Sequence, residues 1–405
     1  MTNIQPTSGT ERLQVIDALR GFALFGILFA NLYSFIGYNT YTTEEIVALP
    51  LSDRAMLFFI DWFIEGKFYS IFSILFGVGF ALQAERFQHK GGNFSAYWFR
   101  RMLVLCCIGL IHMYCVWNGD ILTLYSLLGL LLPLFAGLSN KVLLRWILVL
   151  LVCPIVMHAV LYLTPESSFW GSLSRISSDL KSEWGYSDLS LLEMRTSEQA
   201  SEVFAINVLS AIPRAMSYLM FGRYFHVLGL FLIGILLARI WLPKIRNKNI
   251  TVSKTIIWFG IIGLIINFGY AFIKSNHGWP SGFSDIGFFM GVVYHSGATI
   301  FALAICMLIL KFWSTGKAQS VFKNLAILGR MALSNYIFQN VTAVLIFFGY
   351  GFALMRDVAF SSLPLFAFGI LLVQWLFSRI WLSKYKQGPL EAIWKKLTYR
   401  NDKST

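Results

Sequence analysis

Apolar residues recur along this chain in long runs separated by short polar connections. Crossing a hydrocarbon layer takes about 20 apolar residues in a helix, because each backbone N–H and C=O must find its partner within the segment. Ten runs meet that measure, at residues 15–38, 55–84, 101–118, 121–138, 142–163, 217–242, 255–273, 286–310, 331–350 and 362–382. The pattern predicts an all-α polytopic transmembrane helix bundle of about ten spans, a single integral membrane domain over residues 1–405. The second run is longer than a span needs and carries Asp61, Glu65 and Lys67, which predicts an interfacial segment followed by a span starting near Phe68. The first run is too long for the core of a cleaved signal peptide, so it is expected to remain as the first span. Residues 164–213 form the one long polar stretch, mixing charge with leucine and tryptophan, as an extracytoplasmic loop able to lid an outward-facing site would.

Charge orients the spans. Alternate connections and the basic tail, residues 383–405, hold Arg86, Lys90, Arg100, Arg101, Lys141, Lys244, Arg246, Lys248, Lys311, Lys395, Arg400 and Lys403. The opposite connections hold Glu44, Glu45, Asp53, Glu166, Asp179, Asp285 and Asp357. That asymmetry predicts cytoplasmic amino and carboxyl termini. The net charge of +13 therefore reflects topology, and the expected partner is membrane lipid rather than nucleic acid. Hydrophobic residues make up 57% and charged residues 13% of the chain, too apolar a balance for a soluble domain. The five cysteines fall inside apolar runs without metal or disulfide spacing, and are expected to act as small buried hydrophobes. Gly287 with Gly291, and Gly260 with Gly263, have the spacing of helix-packing surfaces.

Ionisable groups inside spans are costly, so each is a candidate for function. His112 lies past the middle of the third span, and Asp120 follows in the turn Trp117-Asn118-Gly119-Asp120. His112 is either a neutral imidazole bonded to a neighbouring helix or a base, and Asp120 either caps the fourth helix or orients His112. Arg20 and Asn31 share one face of the first helix. Arg20 would pair with Asp17, reach lipid phosphates, or, with Asn31 and Arg330, hold a cytosolic cofactor. Lys67 is a flanking anchor or part of a polar cavity with Glu65. His295, Asn335 and Gln339 lie within spans and supply inter-helix hydrogen bonds or line that cavity. His89, His158, His226 and His277 suggest no role. No phosphate-binding glycine loop, HExxH zinc motif or GxSxG elbow occurs, and no metal is expected.

The residues Ile16-Asp17-Ala18-Leu19-Arg20-Gly21, Lys67-Phe68, Leu75-Phe76-Gly77-Val78-Gly79, Arg100-Arg101, Gly119-Asp120-Ile121-Leu122, Gly329-Arg330-Met331-Ala332-Leu333-Ser334-Asn335-Tyr336 and Gly388-Pro389-Leu390-Glu391, taken in order, resemble the YeiB-like family of bacterial inner-membrane proteins. Through distant relatives the resemblance implies a membrane acyltransferase, similar to the acyltransferase-three proteins and to lysosomal heparan-glucosaminide acetyltransferase. In the acyltransferase-three pattern an arginine is followed, after ten residues, by a catalytic histidine. Here Arg20 matches, while Asn31 stands where the base would be. An amide does not act as a general base near neutral pH, so another residue must supply that function. The reading this supports places acyl-CoA, acetyl-CoA for example, near Arg20 on the cytoplasmic side. His112, oriented by Asp120, then deprotonates a glycan or lipid acceptor. The alternatives are a proton-coupled transporter lined by Lys67, His112, Asp120 and His295, or a non-catalytic partner that docks through residues 164–213.

Overall fold

The computed structural model describes residues 13–90, 93–164, 168–246, 253–278 and 284–399. Glu166, Lys248, Arg400 and Lys403 of the charge pattern lie outside them. In chain order the helices are α1 (Gln14–Phe35), α2 (Thr43–Ala48), α3 (Leu51–Phe59), α4 (Lys67–Lys90), α5 (Phe94–Cys115), α6 (Leu122–Gly129), α7 (Asn140–Leu163), α8 (Ser168–Glu183), α9 (Leu191–Thr196), α10 (Ala200–Met220), α11 (Arg223–Arg246), α12 (Thr255–His277), α13 (Asp285–Ser314), α14 (Gln319–Arg330), α15 (Ala332–Phe347), α16 (Leu363–Lys384) and α17 (Pro389–Thr398). No strand occurs among the described residues.

Nine of the described helices are long and apolar enough to cross a membrane. They account for eight of the ten predicted runs and add α10, which lies in the stretch read as a polar loop. The second run does break where its charges sit. α3 ends in one π turn, Ile60–Ile64, and α4 starts at Lys67, with Gly66 in the left-handed region at φ +84°. Run 331–350 becomes the shorter α15. Run 121–138 is interrupted: α6 stops at Gly129, and a 3-10 turn containing Pro133 follows. Proline lacks the N–H that would continue the helix. The carbonyls this leaves are met from α11, where Arg239 donates to Ala136 O and Leu138 O at 2.7 Å each. Backbone without internal partners persists at such depth only when protein satisfies it.

Two crossings fix the bundle. A methyl group on Gly77 of α4 would strike Phe231 O of α11, and one on Gly234 of α11 would strike Ile74 O of α4. Gly21 of α1 and Gly329 of α14 are related in the same way, through Leu325 O and Asp17 O. Each pair lets two backbones approach at small residues. Large apolar side chains of α7, α12 and α16, among them Trp146, Val149, Trp258, Ile265, Phe368 and Ile380, point outward. A bilayer covers such a surface, whereas water would leave it as a large exposed apolar patch. The fold is that of a multi-pass membrane protein.

Candidate functional site

His112 sits in the last turn of α5, and Asp120 lies just before α6. A methyl on Gly109 would collide with the backbone of Thr123, so that glycine lets α6 fold back against α5. The turn places Asp120 between two donors: Oδ2 accepts from Thr123 N at 2.6 Å, and Oδ1 lies 3.0 Å from His112 Nδ1. Asp120 therefore caps α6 and orients His112 at once. Both side chains are buried. A carboxylate can only accept, so His112 carries its proton on Nδ1 and Nε2 holds the lone pair. Asn340 Nδ2 donates to that lone pair at 3.1 Å, and Asn31 Nδ2 donates to Asn340 Oδ1 at 3.1 Å. A hydrogen-bonded chain thus runs from buried Asp120, His112 and Asn340 to half-buried Asn31 on α1. The Tyr336 ring lies 5.2 Å from the His112 ring.

Residues of the 164–213 stretch cover this end. Asn207 donates to Tyr114 O and Val116 O, capping α5, and accepts from Asn118 N at 3.2 Å. Arg195 Nη2 donates to Asn118 Oδ1, and Gly349 N donates to Arg195 O. Burial pulls the Arg195 guanidinium down to about 10, still cationic at neutral pH. Several buried donors here have no hydrogen-bond partner: Arg195 Nε and Nη1, Arg214 Nε, Tyr336 Oη and Thr123 Oγ1. Native interiors rarely leave such groups unpaired, so their clustering suits a guest that accepts hydrogen bonds.

The remaining predicted residues are dispersed. Arg20 pairs with Asp17 at 3.1 Å, about 16 Å along α1 from Asn31. Arg330 donates to Lys386 O, and Asn335 donates to Leu328 O and Ser378, while Gln374 holds Asn335 O. Gln339 is buried with neither end of its amide bonded. Lys67 is fully buried rather than a flanking anchor, and donates to Asp61 O at 2.6 Å. Beside it, Lys274 of α12 bridges Asp61 at 2.7 Å and Glu65 at 2.8 Å and also meets the Tyr33 hydroxyl. His295 lines a separate cavity with Glu65, His158, Arg223 and Tyr294. Sequence reading missed Asn340, Lys274 and Arg223. Asn340 carried the signal, an amide inside an apolar run. The two cations stand at run ends, where flanking charge is ordinary.

Residues 239–401 match the family model described as "Protein of unknown function (DUF418)". The chain is 28% identical over 408 residues to the uncharacterized protein YxaH of Bacillus subtilis (strain 168), covering 98% of this chain and 97% of that one. It is 27% identical over 404 residues to an uncharacterized 39.9 kDa protein in the amylase 3' region of Bacillus acidopullulyticus, covering 98% and 96%. It is 27% identical over 403 residues to the uncharacterized protein YeiB of Escherichia coli (strain K12), covering 96% and 97%. End-to-end similarity to these proteins, with the matched carboxyl-terminal region, supports the YeiB-like resemblance that the motifs carry.

Proposed function

We propose that the chain is an acyltransferase of a bacterial inner membrane. It would pass an acyl group from an acyl-CoA bound on the Arg20 side, taken as cytoplasmic, to a glycan or lipid hydroxyl or amine on the Asp120 side. The Asp120–His112 pair carries this reading. The buried carboxylate fixes the tautomer and supports the imidazolium that forms, which leaves Nε2 as the basic atom. Asn340 covers that lone pair at rest, and the acceptor's O–H takes its place. His112 Nε2 then removes the proton as the acceptor oxygen attacks the thioester carbonyl. The C–S bond breaks, and His112 returns the proton to the leaving thiolate, giving acyl ester and free thiol. Asn340 Nδ2, released from Nε2 and backed by Asn31, becomes a donor to the tetrahedral oxyanion. Asn31 keeps the place of the acyltransferase-three histidine but serves by orientation, and the base moves to α5.

The test is purified protein in lipid nanodiscs, supplied with labelled acetyl-CoA and a membrane glycan and lipid extract. Label should appear in an extract component, and His112→Ala should lower the rate about 10²–10⁴-fold. Absence of both coenzyme binding and label transfer would sink the proposal. A second reading, proton-coupled solute transport, is favoured by the buried Asp61, Glu65, Lys67 and Lys274 cluster beside the His295 cavity. It predicts pH-gradient-driven uptake into proteoliposomes with no covalent product.

A further inference from the structure

We propose that the cavity walled by α7, α10, α11 and α13 binds a small hydroxy acid, an anion that also carries hydroxyl donors. The cavity has a volume of about 250 Å³. At about 30 Å³ per water it holds the equivalent of about eight waters, the bulk of a short sugar acid. Its polar wall has a readable hydrogen-bond polarity. His158 Nδ1 lies 2.8 Å from Pro154 O, and a carbonyl only accepts, so the proton is on Nδ1 and Nε2 is a bare acceptor. His295 Nε2 donates to Phe221 O at 3.1 Å, which leaves Nδ1 as a buried acceptor with no partner on a side chain 6% exposed. His226, behind them, is fully used. Thr299 donates to His295 O and so accepts from His226 Nε2 at 2.7 Å, and Tyr69 lies 3.0 Å from Nδ1. The three rings share no point at which a metal ion would sit.

The cavity also holds unused donors. The Arg223 guanidinium stacks on the rings of Tyr69 and Tyr218, at 4.3 and 4.8 Å, with its Nε unbonded, and the Tyr218 hydroxyl has no partner. Two bare imidazole nitrogens call for ligand O–H groups, while an arginine and a phenol call for an anionic acceptor; the carboxylate on the wall, Glu65, is taken up by Lys274 at 2.8 Å and by the Tyr270 hydroxyl, not by Arg223. A fatty acid would leave the imidazoles unpaired, and a neutral polyol would leave the guanidinium uncompensated, each a buried polar cost. Gly291 makes the arrangement possible, because a methyl group there would strike the His158 ring.

The experiment is calorimetry on the full-length protein in nanodiscs with D-glycerate and D-gluconate, which bracket the cavity in size, against hexanoate and myo-inositol. Saturable binding of at least one hydroxy acid is expected, with both controls at least tenfold weaker. Arg223→Gln and Ser217→Phe should each weaken that binding at least tenfold. Ser217→Phe fills the space from a half-buried wall and keeps every buried charge, so it decides the matter if Arg223→Gln does not fold. Absence of saturable binding by either acid, equal binding of hexanoate or inositol, or undiminished binding in Ser217→Phe would overturn the proposal. Calorimetry reads binding without acyl transfer, so its outcome is separate from that of the acyltransferase assay.

Discussion

The Asn340 amide has two duties that a kinetic experiment separates. At rest it satisfies His112 Nε2, and in the proposed reaction it faces the oxyanion. Asn340→Ala leaves the Asp120–His112 contact intact, so coenzyme binding should hold while kcat falls about 10²–10³-fold, the usual loss for one oxyanion donor. A fall in affinity with unchanged kcat would give Asn340 a packing role instead. His112 and Asn31 were legible because polar groups stand out in apolar runs, and Asp120 because it closes the short turn between two of them. Their meeting was not, since Asn31 and Asn340 are 309 positions apart and only tertiary packing joins them. His295 was visible for the same reason, but its partners His158 and Arg223 sit near run ends, where a histidine or arginine draws no notice.

At the scale of elements, the Gly388-Pro389-Leu390-Glu391 motif finds its purpose in docking α17. Glu391 accepts from Leu333 N at 2.7 Å, Ser334 N at 3.2 Å and Ser334 Oγ at 2.5 Å, capping the start of α15. Trp394 donates to Arg101 O and lies 3.6 Å from the Arg101 guanidinium. Burial pushes the Glu391 carboxyl above its usual range, against the pull of these hydrogen bonds. A raised pKa means the docked state holds the proton more tightly. Docking is therefore firmest below the ordinary carboxyl value of about 4.3 and loosens as pH rises through the raised one. Hydrogen exchange of α17 should follow that course. Glu391→Gln should flatten it, and Glu391→Ala should loosen α17 by about 1 kcal/mol at any pH. Helix identity was largely legible here, whereas packing was not. Of the small-residue pairs expected to join helices, Gly263 of α12 packs on the Phe301 backbone of α13 and Gly291 of α13 makes room for the His158 ring of α7, while the closest backbone crossings use Gly21, Gly77, Gly234 and Gly329, single residues on partner helices.

Across the whole molecule, Lys274 ties α12 to the π turn through Asp61 and Glu65 and to α1 through Tyr33. Lys274→Ala strands buried carboxylates and should lower stability by about 3–5 kcal/mol, read as an early thermal transition in detergent. Lys274→Ala combined with Asp61→Asn should recover part of that loss, and equal losses in both proteins would show that the pair is not coupled. The count of spans was legible to within three places: proline breaks the α6 run, run 331–350 shortens to α15, and α10 hides in a stretch whose charges mask its apolar face. The break has a further consequence. The eight residues of α6 rise only about 12 Å, against about 30 Å of hydrocarbon, and Leu127 and Leu134 face outward there. On the proposed acyltransferase reading, thinner lipid against that flank would shorten the depth a tail-anchored acceptor travels to reach Asp120, so transfer should slow as the membrane thickens.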